Sequence, residues 1–90
     1  QGPCFVYIDD GAIICHDVLL SPVIDRQELT IKPIHIGKNA IIGDRSVVLG
    51  GVTIGQGARV EPMSFVPENT VIPANEVWGG VPAQRIFPAI

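Results

Sequence analysis

Residues 34–83 read IHIGKNAIIGDRSVVLGGVTIGQGARVEPMSFVPENTVIPANEVWGGVPA, and this stretch decides the fold. Stepping in sixes from Ile36 meets Ile42, Val48, Ile54, Val60, Val66 and Ile72, and then Trp78. Two places before each of the first seven stands an apolar or small residue: Ile34, Ala40, Ser46, Val52, Ala58, Ser64 and Thr70. Three places after, turn-prone residues recur at Asn39, Gly51, Gly57, Asn69 and Asn75, and Gly37, Gly43, Gly55 and Gly79 directly follow the periodic residue. A period of six suits neither the 3.6 of a helix nor a long strand, but it holds a short strand of period two and a corner. Gly and Asn supply the positive φ that corners need. The large aliphatic side chain then points inward and stacks on its equivalent in the next coil. Three such units close a triangular coil, and stacking the coils buries what one coil cannot.

Outward from this stretch, the same frame is visible earlier at Ile8, Ile14 and Leu20, with Ala12 and Val18 two places before the last two and a corner at Asp10-Gly11. Phe5-Val6-Tyr7 reads as an entering strand. The frame breaks at Arg26, which cannot fill an apolar corner unpartnered. Residues 22–33 are polar or punctuated by Pro and are expected to be a loop pushed out from the prism. The frame restarts at Ile34. Beyond Trp78, residues 79–90 are expected to leave the coil, with two Gly and two Pro opposing a regular strand.

The pattern resembles the hexapeptide-repeat, left-handed parallel β-helix family. The expectation is an all-β, single-stranded solenoid of about three to four coils with one loop excursion, residues 1–90 forming one domain. Handedness comes from the resemblance alone, since parallel crossovers are ordinarily right-handed. The closing GGVPAQRI is similar to the GGxPAxxI signature of hexapeptide acetyltransferases of the maltose, galactoside and xenobiotic group, matched by Gly79, Gly80, Pro82, Ala83 and Ile86. That resemblance implies a homotrimer with acetyl-CoA or another acyl-CoA in a cleft between prisms. It implies Gly79, Gly80, Pro82 and Ala83 near the cofactor, and Arg85 meeting a phosphate.

The family's catalytic residue is a His acting as general base on an acceptor hydroxyl or amine, which attacks the thioester. The two His here are His16 and His35. His16 is the candidate base, although it sits in a regular hexad and loop 22–33 holds no His. Ile41 stands where the family often has an aromatic. His35, between inward Ile34 and Ile36, should face outward. Lys38, Arg45 and Arg59 are outward cations that could meet a CoA phosphate or simply be solvated. Trp78 reads as a core plug. Cys15-His16-Asp17 resembles a nucleophile set, but strand neighbours face opposite ways. The γ-class carbonic anhydrases share the fold, but their close His pair is missing, so no metal is expected. The same stretch also resembles hexapeptide modules in proteins related to non-ribosomal peptide synthetases, for which a scaffold or trimerisation role is the alternative.

Composition bounds the rest. A hydrophobic share of 47% with 17% charged residues suggests faces buried between chains. Net charge −3 argues against a nucleic-acid surface. No apolar run reaches the length of a spanning helix. The start, Gln1-Gly2-Pro3, has neither a basic leader nor Met, so the chain is expected to be part of a longer one. Cys4 and Cys15 are too few for a disulfide framework and fit free thiols in the cytoplasm.

Overall fold

The computed structural model describes residues 5–25, 27 and 30–87. Cys4, Arg26 and Glu28 lie outside them, as do residues 88–90 of the tail. The described residues form short strands and corners, and no helix. The first coil comprises β1 (Val6–Ile8), β2 (Ile13–Ile14) and β3 (Leu19–Ser21). An excursion follows, β4 (Val23–Asp25) and β5 (Thr30–Lys32). The second coil is β6 (Ile34–Ile36), β7 (Ile41–Ile42) and β8 (Val47–Leu49); the third is β9 (Thr53–Ile54), β10 (Arg59–Val60) and β11 (Phe65–Val66). The fourth has β12 (Val71–Ile72) and β13 (Val77–Gly80), and β14 (Ala83–Phe87) ends the described chain.

Strands one coil apart pair in parallel. The first wall is β1-β6-β9-β12, the second β2-β7-β10-β13 with β14 outside it, and the third β3-β8-β11. The register places Ile8 on Ile36, Ile54 and Ile72. It places Ile14 on Ile42, Val60 and Trp78, and Leu20 on Val48 and Val66. Each column therefore stacks hexad residues one coil apart. All seven periodic aliphatics from Ile36 to Ile72 are at most 1% exposed, and Ile34, Ala40, Val52 and Ala58 beside them are fully buried. Trp78 is half-buried against this core, as a plug should be. In the first coil Ile8 is 49% exposed, because no coil of the described chain stacks on its outer side.

The corners correct one expectation. On the edge between the first and second walls, positive φ falls on Gly11, Asn39, Gly57 and Asn75, and on the third-to-first edge on Gly51 and Asn69. On the edge between the second and third walls it falls on Asp17 (56°), Arg45 (60°) and Met63 (59°). A left-handed conformation costs a side-chain-bearing residue roughly 1–2 kcal/mol, least for Asn and Asp.

Two further expectations change. Segment 22–33 is not an irregular loop: β4 and β5 pair antiparallel, Val23 opposite Lys32, Ile24 opposite Ile31 and Asp25 opposite Thr30. Val23, Ile24, Thr30 and Ile31 at paired positions are residue types that favour extended backbone. Pro22 and Pro33 fall just outside the pairing, where their missing N–H costs nothing. Likewise the tail is not excluded from pairing. β14 runs antiparallel to β13, Trp78 opposite Arg85 and Gly80 opposite Ala83, with an irregularity between Val77 and Trp78. Pro82 sits in the turn, after a cis bond from Val81, so its missing donor costs no ladder bond. Gly79 is required by packing: a Cβ there would come within 2.8 Å of Ile86 Cδ1 and 2.9 Å of Glu61 Cβ.

Candidate functional site

The edge where the second wall turns into the third carries the most chemistry. Its register follows from the columns: two residues beyond Ile14, Ile42, Val60 and Trp78 come His16, Asp44, Pro62 and Gly80. The backbone confirms the stacking, with the Arg45 N–H donating to the His16 carbonyl at 2.8 Å and the Met63 N–H to the Asp44 carbonyl at 2.7 Å. A groove of about 380 Å³ opens here, lined by His16, Asp17, Asp44, Arg45, Pro62 and Met63.

Within it His16 and Asp44 form a pair. The His16 backbone N–H donates to Asp44 Oδ1 at 2.9 Å. The same oxygen lies 3.5 Å from His16 Nδ1, a separation long for a strong hydrogen bond. The His16 side chain is 90% exposed and that of Asp44 53%. The backbone hydrogen bond holds the Asp44 carboxyl below the usual carboxylate range, helped by the charges of His16 and Arg45 and opposed by desolvation. Asp44 is therefore an anion beside the imidazole at any pH near neutral.

Sequence reasoning missed Asp44. A regular coil takes eighteen residues, as from Ile36 to Ile54, but His16 and Asp44 are 28 apart. The ten additional residues belong to the β4–β5 excursion. Counting the excursion out of the frame would have put Asp44 under His16.

The remaining candidates distribute unevenly. Gly80 and Pro82 lie at the fourth-coil end of the same edge, both exposed, three strand spacings or about 14 Å from His16. Gly79 and Ala83 are buried in the packing of β13 against β14, Ala83 at 6% exposure. Arg85 is exposed on β14, its Nη1 3.9 Å from Glu76 Oε2, while Glu76 Oε1 accepts the Trp78 indole N–H at 2.9 Å. Of the outward cations, Arg45 reaches the groove, Arg59 stands on the second wall, and Lys38 lies on another edge. His35 faces outward, as alternation requires, and stacks on Tyr7 with ring centroids 4.7 Å apart. Cys15 is a half-buried free thiol. No three metal-ligating side chains converge among the described residues.

The ladder that fixes this edge is polar and buried. Ser46 Oγ and Ser64 Oγ both donate to the Glu61 carbonyl, at 3.0 and 2.7 Å, and Ser64 Oγ accepts the Gly80 N–H at 3.2 Å. Sidewalls of stacked aliphatics, corners one coil apart and a serine ladder define a hexad-built parallel β-helix.

Comparison with known proteins identifies the class. Residues 33–68, 36 of the chain's 90, match the bacterial transferase hexapeptide family (six repeats), and the fold is a left-handed parallel β-helix of hexapeptide repeats, like that of its structural neighbours. It is 28% identical over 85 residues to delta-poly-L-ornithine synthetase of Acinetobacter baumannii, a match covering 93% of the chain and 6% of that protein. It is 47% identical over 45 residues to UDP-3-O-acylglucosamine N-acyltransferase 2 of Rhodopseudomonas palustris, covering 50% of the chain and 12% of that protein. Among solved structures it resembles a D94N mutant of the N-acyltransferase AntD from Bacillus cereus, crystallised with dTDP and coenzyme A. The TM-score there is 0.78 at 24% identity, over 94% of this chain and 53% of AntD. The chain thus spans a small fraction of the two relatives and about half of AntD.

Proposed function

We propose that this domain transfers an acyl group from acetyl-CoA or another acyl-CoA to a hydroxyl or amine of a small acceptor. The observation that carries the reading is the alignment of two features on one edge. The His16–Asp44 pair stands in the first and second coils, and the Gly80–Pro82 turn lies about 14 Å along the same edge. A thioester at the His16 end and an extended pantetheine arm along the edge fit that spacing, and Arg85 on β14 supplies a cation at the far end. The coenzyme A bound to AntD supports the same substrate class.

In this reading Asp44 engages the Nδ1 side of His16, which leaves Nε2 to accept the acceptor's proton. The acceptor oxygen or nitrogen attacks the thioester carbon, the new C–O or C–N bond forms and the C–S bond breaks. The proton held on His16 passes to the departing thiolate. The active form is a homotrimer: outward positions of the third wall, Leu19, Ser21, Val47, Leu49, Phe65 and Pro67, include no charge. The free thiol of Cys15 agrees with a cytoplasmic setting.

The test is release of CoA thiol from acetyl-CoA across a panel of hydroxyl and amine acceptors, with His16→Ala as control. Turnover that falls about 10²–10⁴-fold in the variant is expected of a lost general base. Turnover unchanged in the variant removes His16 from the mechanism. Absence of turnover with every acceptor transfers the reading to a trimerisation or scaffold module, the role suggested by the chain's near-complete match to one part of a much longer synthetase.

A further inference from the structure

We propose a second binding site, on the edge between the first and second walls, that takes a small zwitterion of the free α-amino-acid class. The site is a notch of about 300 Å³. Its origin is the backbone. The position after the inward Ile is Asp9 in the first coil but Gly37 and Gly55 in the next two, and both glycines are needed because a Cβ would strike the following coil within 2.8 Å. Two bare corners in succession leave a gap about 10 Å long in the outer surface. One flank is the outward column Tyr7, His35 and Thr53, and the other is Lys38 and Gln56. Asp9 closes the first-coil end.

Three features make this notch more than a surface irregularity. The rings of Tyr7 and His35 stack at 4.7 Å and 5°, so one flank is a pair of ordered aromatic rings rather than a flexible aliphatic chain. Asp9 and Lys38 are oppositely charged and stand one residue and one coil apart, yet form no ion pair. Neither side chain has a hydrogen-bond partner among the described residues. Opposite charges held apart across a shallow gap complement a ligand whose own charges are close together and fixed. The ammonium of an α-amino acid meets Asp9, its carboxylate meets Lys38, and its side chain lies along the Tyr7–His35 wall. The volume is at the lower end of small-molecule sites, which suits a ligand of this size. The site shares no residue with the His16 groove, so it stands independently of the acyl-transfer reading.

The experiment is amide NMR titration of the whole chain with L-phenylalanine, and in parallel with phenethylamine and 3-phenylpropionate, which each keep one charge. The expected result is saturable shifts at Asp9, His35, Lys38 and Gln56 with L-phenylalanine in the millimolar range or tighter, and at least tenfold weaker binding of both analogues. Asp9→Asn and Lys38→Gln each weaken binding about tenfold, while amides of the His16 groove stay still. Both substituted side chains face solvent, and the analogue series decides the matter in the wild-type chain even if a variant misfolds. Absence of saturable shifts, equal binding of the singly charged analogues, or shifts centred on His16 overturns the proposal.

Discussion

Asp44 shows what a single corner residue does. Its carboxylate caps the His16 backbone N–H and faces the imidazole, and the first of these interactions is what lowers its pKa. A carboxyl whose folded pKa lies below its unfolded value of about 3.9 stabilises the fold above that pH. The contribution is lost as pH falls below about 4 towards the lower folded value. Wild type and Asp44→Asn should therefore differ in urea midpoint at pH 6, with the gap shrinking towards pH 3. A gap independent of pH would mean the carboxylate is not held as described. One residue further on, Asp17, Arg45 and Met63 all adopt positive φ on the edge that carries the candidate groove. Met63 is 66% exposed, so its conformation is not repaid by burial. Met63→Gly should stabilise the chain by about 1 kcal/mol in chemical denaturation, because glycine carries no left-handed penalty. Destabilisation would show that the Met63 side chain makes contacts worth more than the strain. Strain retained beside a His–Asp pair is the pattern expected where geometry serves a site.

At the scale of elements, the inward columns were legible because burial acts on every sixth residue alike. Ile36, Ile42, Val48, Ile54, Val60, Val66 and Ile72 are one repeated decision, and each is buried as the period requires. Segments 22–33 and 79–87 do leave the regular coil, but their pairing was missed for the opposite reason. Each pairs with one local partner in an antiparallel hairpin, and neither repeats, so no period announces it. Pro and Gly at their ends suggested irregular chain, but the pairing avoids Pro22, Pro33 and Pro82, and packing requires Gly79. Asp44 was hidden by the same excursion, which shifts the numbering without shifting the coil. Within the regular part, small polar residues proved to be structural. Ser64 is 2% exposed and joins the third coil to the closing turn, through the Glu61 carbonyl and the Gly80 N–H. Ser64→Ala leaves the Gly80 donor without this partner and should cost about 1–3 kcal/mol, with faster hydrogen exchange at the Gly80 amide. Unchanged exchange there would mean that β14 alone holds the turn.

At the scale of the molecule, the third wall is the proposed meeting face between copies of the chain. A sheet face turned to water normally alternates apolar-in and polar-out. Here the outward column Leu19, Val47 and Phe65 is apolar as well, with Leu19 55% exposed and the other two half-exposed. The first wall, by contrast, presents Tyr7, His35, Thr53 and Val71, and the second presents Ile13, Ile41 and Val77 interrupted by Arg59. Among the described strands the third wall is the one whose outward column holds no polar or charged residue, which makes it the face best suited to a second copy of the chain. A prism of this size buries a limited core, so association across this wall would add stability to it. Val47→Glu places a charge at the centre of that column while leaving the inward Val48 untouched. If the third wall joins the subunits, sedimentation should report a trimer for the wild type and monomers for Val47→Glu. Turnover should fall with assembly, because the groove at His16 borders this wall. A chain that sediments as a monomer before any substitution removes the trimer, and a variant that stays trimeric moves the interface to another wall.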